Sequence, residues 1–390
     1  MQNTIEQNSA NKRGVALKAV LLFAFMCLFA VICGQTIHKF TGIYNTFGDS
    51  DALNVNLRLM SHTETLADNK KAYVRIGGKP IGISVNAGGL IMTGETEVVT
   101  ENGSVFPAKD KGLEIGDVIL AVNGTDVNSV YQLKKLLENP NLNSVVLSVN
   151  RSGNIFDVSI TPAIDKLSGQ KKLGIMLKED VGGVGTLTFV TQDGRFGALG
   201  HYIIDGDSGL SDELNYGNIF STTVTDVIRG ERGKAGGLVA EVNRLSTPIG
   251  GICRNTNIGI YGQYTAEYNG ELYKIASKGE AKPGAAQVFT TIDGDEPKFY
   301  DIDIVKVVSQ SDAAEKGMVI AVRDKELLEK TGGIVQGMSG SPIVQNGVLI
   351  GAVTHVFVQD PTRGYAVHSR FMYDYAMTAR TSALYGQVAA

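Results

Sequence analysis

Hydrophobic and polar positions change their rhythm as the chain proceeds. From Ala19 to Cys33 there are 15 consecutive apolar residues, extended by Val15, Ala16 and Leu17 if Lys18 carries its charge to the interface. Lys12, Arg13 and Lys18 precede this run and only Lys39 follows it closely. That asymmetry predicts a cytoplasmic tail over 1–14, a retained transmembrane anchor over 15–34 and export of the rest. Residues 35–69 have mixed polarity and read as a juxtamembrane connector. From Ala72 the period becomes two, and Ala72–Ile76, Ile81–Val85 and Gly89–Met92 read as short strands. Asn128 or Ser129 can cap a helix through Leu137, with Val145–Val149 and Ile155–Ile160 as strands beyond it. After a polar connector at 165–172, Gly185–Val190 and Phe196–His201 form a hairpin about Gln192-Asp193-Gly194. A last hairpin joins Ile343-Val344 to Val348–Thr354 through Gln345-Asn346-Gly347.

Composition narrows this picture. The 390 residues exceed one compact domain, and 47 glycines with no tryptophan favour turn-rich β structure. A formal charge of −4 without a basic block gives nucleic acid no electrostatic footprint. Cys27 and Cys33 lie in the apolar run, leaving Cys253 alone, so neither a disulfide nor a CxxC zinc site serves the main body. The chain also lacks HExxH, which excludes a zinc peptidase of that pattern, and no metal or other cofactor is implied.

The candidate chemistry is concentrated at Gly337-Met338-Ser339-Gly340-Ser341-Pro342. A serine between glycines, followed by Ser-Pro, resembles the nucleophile turn of chymotrypsin-like serine peptidases. Such a turn presents a weak nucleophile, and the backbone N–H groups of Gly337 and Ser339 would form the oxyanion hole. The candidate base is His201, at the end of the 185–201 hairpin, where the first barrel of such a peptidase carries its histidine. The acidic partner stays open on chain order: an aspartate about a third of the way from base to nucleophile would favour Asp226, with Asp205 a further candidate.

Upstream, Lys111-Gly112-Leu113-Glu114-Ile115-Gly116-Asp117-Val118-Ile119 and the following Asn123-Gly124 resemble a PDZ domain, spanning 70–165. The resemblance implies β-augmentation: a peptide strand beside Ile83–Val85, its carboxylate received near Ile81, Gly82 and Ile83. The ligand would be a partner peptide or a segment of this chain. A charge placed at Ile83 would then alter docking without touching the chemistry.

Taken together, the anchor, the PDZ module, Gly200-His201-x-Ile-x-Asp205-x-Asp207 and Thr331 through Pro342 resemble the stage IV sporulation protein B peptidases. The resemblance runs from residue 15 to about 378. It implies a mainly β chain: N-terminal transmembrane helix, PDZ domain, and a chymotrypsin-like double β-barrel peptidase domain over 173–390. It also implies a membrane-tethered signalling endopeptidase in the space between mother cell and forespore. The substrate would be a membrane regulator of an intramembrane metalloprotease that activates a late sigma factor, and members also cleave themselves. By position it makes His201 the base, Ser339 the nucleophile and Asp324 the acidic partner, ahead of Asp226 and Asp205. The competing expectation is a catalytically silent, membrane-anchored PDZ scaffold.

Overall fold

The computed structural model describes residues 72–379 except 212, 213 and 215. The expected anchor at 15–34 and connector at 35–69 lie outside them; among the described residues no helix is long and apolar enough to cross a membrane. The described chain is mainly β. Its largest sheet closes on itself twice. In the first ring Arg195–Ala198, Gly259–Tyr264, Gly250–Thr256, Tyr216–Ile228, Pro80–Asn86 and Val181–Val190 follow one another, and the last pairs back with the first. In the second, Val348–Phe357, Pro342–Gln345, Gly284–Thr290, Lys298–Val307, Met318–Val322 and Asp360–His368 close likewise. Tyr73–Ile76 and Leu272–Ile275 bridge the two rings.

Alternation explains why each ring has a dry interior. Along a strand every second side chain faces the same way. Ile81, Ile83 and Val85 thus join Leu187, Phe196 and Ile219 in the first core. Ile302, Ile304, Ile320 and Val322 do the same with Ile343 and Val353 in the second. Full burial of one such side chain is worth roughly 1.5–3 kcal/mol. Between the rings Phe189, Tyr261 and Leu349 pack against Met372 of the C-terminal helix Ser369–Thr378.

A separate six-stranded sheet is built on Leu90–Glu95, Val118–Val122, Val145–Arg151 and Asn154–Ile160. Helix α1 (Val130–Leu137) covers it with Leu133 and Leu137, four residues apart on one face. Of the two expected caps it is Ser129 that acts, accepting from Gln132 N at 3.2 Å. The Gly116-Asp117 pair of the signature is structural: Asp117 is fully buried and Arg151 forks onto it at 2.6 and 2.8 Å.

The first strands of the expected PDZ domain lie elsewhere. Pro80–Asn86 runs between Val181–Val190 and Tyr216–Ile228, so that Ile83 pairs with Gly183 on one side and Ile219 on the other. Ile81, Gly82 and Ile83 therefore have no open edge for a peptide, and their assignment to a peptide groove is corrected. The small sheet begins at Leu90 and takes its outermost strand from Ile175–Lys178, which among the described residues pairs only with Leu90–Glu95. Periodicity identified these segments as strands, but alternation carries no information about which distant strand will pair with them. The connector at 165–172 is accordingly no boundary. Its Lys171-Lys172 pairs with Ala163-Ile164, and the chain then adds one more strand to the small sheet.

Candidate active site

Ser339 sits between helix α2 (Lys325–Thr331) and the strand Pro342–Gln345. The turn is clamped by the first ring. Thr186 donates from N to Ser339 O at 2.9 Å and from Oγ1 to Gly337 O at 2.8 Å. Thr188 Oγ1 donates to Gly340 O at 2.7 Å, and Gly340 N to Val353 O at 2.8 Å. Gly340 is required here: its φ is +94°, and a Cβ would lie 2.1 Å from Thr186 O. With these carbonyls facing away from the cleft, the N–H groups of Gly337 and Ser339 donate to no partner among the described residues. Ser341 is fully buried, its hydroxyl 2.6 Å from Met338 O and 2.8 Å from Thr290 Oγ1, which removes it as a rival nucleophile.

His201 is presented by a reversal at the end of Arg195–Ala198. Leu199 (φ 69°) and Gly200 (φ 79°) are both left-handed. For a leucine this costs on the order of 1–2 kcal/mol, and the conformation is held by packing of its side chain in the first core. His201 Nδ1 lies 2.7 Å from Tyr202 O, which places the proton on Nδ1 and leaves Nε2 as the acceptor a general base needs. Burial pushes the imidazole below its ordinary range. The Tyr202 carbonyl and Glu315 oppose this, while neighbouring His355 reinforces it.

Ser339 and His201 line one cleft of about 770 Å³, with Gly337, Thr354, His355 and Glu315. No hydrogen bond joins the serine to the histidine in this state. Ser339 Oγ donates to Thr354 O at 2.8 Å, so a rotation of its side chain must precede proton transfer.

None of the three candidate aspartates reaches His201. Asp324 is the N-cap of α2, accepting from Leu327 N at 3.0 Å. Asp226 is exposed and accepts from Val227 N at 2.7 Å. Asp205 is buried against Lys178 (2.7 Å) and Ser208 Oγ (2.6 Å). In this state the Asp324 carboxylate caps α2 and makes no contact with His201. Two residues that sequence reasoning passed over stand nearer. The His355 ring lies 4.9 Å from that of His201, and Glu315 Oε2 is 3.9 Å from His355 Nε2. His355 carried one signal, its place at the end of the strand after the nucleophile; Glu315 lies in a polar loop and carried none. Among the described residues no cluster of His, Cys, Asp and Glu has the arrangement to hold a metal ion.

The family model for SpoIVB peptidase S55 matches residues 169–373, and that for the PDZ domain matches residues 73–150. The PDZ match thus includes Pro80–Asn86, which in space belongs to the first ring. No curated protein matches the chain.

Proposed function

This chain belongs to the SpoIVB peptidase S55 family and is a serine peptidase, and from that premise we propose that it is a membrane-tethered signalling endopeptidase of endospore formation. Its substrate is a membrane regulator of an intramembrane metalloprotease, cleaved in the space between mother cell and forespore, and it also cleaves itself. The sporulation name of the family and the basic-flanked apolar run at 19–33 support this reading. The two closed rings, with His201 leaving one and Ser339 entering the other, resemble the chymotrypsin-like arrangement. One observation carries the chemistry. A single cleft holds Ser339, His201 with its proton on Nδ1, and the unengaged N–H groups of Gly337 and Ser339.

In the reaction Ser339 Oγ turns from Thr354 O towards His201 Nε2 and bonds to the substrate carbonyl carbon as its proton passes to Nε2. The carbonyl π pair moves onto oxygen, where Gly337 N–H and Ser339 N–H stabilise it. Collapse breaks the C–N bond, and the leaving amine takes the proton from Nε2. Water repeats the sequence on the acyl enzyme. The open edge at Ile175–Lys178, beside α1, supports docking of an extended segment of the protein substrate.

The test is a fluorophosphonate probe on the full chain in detergent beside Ser339→Ala, with new N-termini mapped in sporulating cells carrying each. Labelling confined to the wild type, with regulator fragments absent in the variant, is expected. Labelling that survives the substitution would move the nucleophile to another residue, and a wild type that does not label would leave the silent scaffold as the better account.

A further inference from the structure

A carbonyl under attack must lie between Ser339 Oγ and the N–H groups of Gly337 and Ser339, which fixes where the substrate residue bearing it can go. Its side chain meets the segment 334–336, which enters the nucleophile turn, and the segment 354–356, whose Thr354 O receives Ser339 Oγ at 2.8 Å. Both segments are held by backbone bonds. Ile334 N donates to Pro361 O at 2.8 Å and Gln336 N to Gly236 O at 2.9 Å, while Val356 stands opposite Gly364 on the next strand.

Two features of this wall decide what it accepts. Its depth is limited. Ile334 lines the cleft yet is only 3% exposed, and its Cδ1 lies 2.7 Å from the point that a Cβ on Gly364 would occupy. The isoleucine thus takes the space the glycine leaves open between the strands. A substrate ring or long side chain would have to push it out of the second core, where it clusters with Val335 and Val356. The wall is also uncharged. Glu315, the one carboxylate in the cleft lining among the described residues, stands on the His201 side, its Oε2 3.9 Å from His355 Nε2.

We propose that this wall is the pocket for the residue on the acyl side of the scissile bond, that Ile334 sets its depth, and that the enzyme cuts after small aliphatic residues such as alanine and valine. The inference rests on the serine-peptidase reading of this cleft. An aliphatic side chain entering here gains by leaving water. A charged one would lose its hydration and find no partner. One methylene more or fewer in an apolar pocket changes the rate about 10- to 200-fold, so a depth set by one isoleucine is enough to discriminate.

Amino-acid diphenyl phosphonates carry a single side chain beside a serine-reactive phosphorus and read this pocket without a known substrate. Ser339 Oγ bonds to phosphorus, one P–O bond breaks, and phenol leaves with the proton that passed from Ser339 Oγ to His201 Nε2. The experiment measures second-order rate constants of modification by the alanine, valine, phenylalanine, lysine and glutamate probes. It uses full-length wild type, Ile334→Ala and Val356→Ala in detergent, with thermal melts to report folding. On the wild type the alanine and valine probes should react at least about tenfold faster than phenylalanine, and about a hundredfold faster than lysine or glutamate. Ile334→Ala should raise the phenylalanine-to-valine ratio at least about tenfold without admitting the charged probes, and Val356→Ala should raise it less. Should Ile334→Ala fail to fold, the wild-type order and the half-buried Val356→Ala carry the test. A wild type that takes phenylalanine, lysine or glutamate as fast as valine, or a folded Ile334→Ala with the wild-type ratio, overturns the proposal. A wild type that labels with a fluorophosphonate but shows no order among these probes refutes the pocket alone. One that labels with neither refutes the serine-peptidase reading itself.

Discussion

Ser339 and Ser341 differ by two positions and by everything that decides reactivity. Ser341 has its hydroxyl enclosed by Met338 O and Thr290 Oγ1, while Ser339 opens on the cleft. Ser339→Ala should therefore leave the melting temperature nearly unchanged and lower kcat/KM by at least about four orders of magnitude. Progress curves beside circular-dichroism melts check both halves. His201 carries the second prediction at this scale. Burial holds it below the ordinary imidazole range, and only the neutral ring can accept the Ser339 proton. The sign follows: kcat/KM is flat at neutral pH and falls with acidification through an apparent pKa below about 6.5. A profile already declining above that value contradicts the burial. The Ser339 turn and the reversal before His201 were legible in the sequence because glycines on either side of Ser339, and Gly200 before His201, mark backbone that such turns require. The carboxylate near His201 was not legible, since an aspartate before a helix looks the same whether it caps or catalyses.

At the level of elements, Asp324 acts on a helix end that leads into the Ser339 turn. It caps α2, which ends at Gly332 (φ +76°) and leads into the Ser339 turn. Replacing a capping aspartate by alanine costs about 1 kcal/mol, whereas asparagine accepts the same bond from Leu327 N. Asp324→Ala should thus lower the melting temperature and loosen the turn, and Asp324→Asn should retain both stability and activity. Loss of activity in Asp324→Asn with an unchanged melt contradicts a purely capping role. Helix α1 was legible for the same local reason, a cap followed by apolar residues at helical spacing. The strand Pro80–Asn86 was legible as a strand only. Its partners begin about 100 and about 130 residues away, at Val181 and Tyr216, and nothing within seven residues encodes them.

Across the whole molecule, the small sheet and the first ring share chain and contacts. Ile175–Lys178 continues through Glu179 and Asp180 into Val181–Val190, whose first residues line the catalytic cleft. Lys178 also pairs with Asp205 and Asp207 on the segment that follows His201. A sequence divided at a polar connector cannot show this, because the strand just beyond the connector, Ile175–Lys178, returns to the small sheet before the chain enters the first ring. The consequence reverses what a PDZ reading of Ile83 implies. Ile83 is 3% exposed inside the first ring, so Ile83→Asp buries an unpaired carboxylate among apolar side chains. That costs several kcal/mol, about as much as a marginally stable domain can lose. The variant should melt early and lose probe labelling of Ser339 along with its fold. Ile175→Asp, on the half-buried outer strand of the small sheet, should keep labelling and lose affinity for an extended peptide of the substrate. Calorimetry and probe labelling of the two variants side by side check the assignment. Wild-type labelling of a stably folded Ile83→Asp would mean that Pro80–Asn86 does not complete the ring, and the peptide edge would then return to that strand.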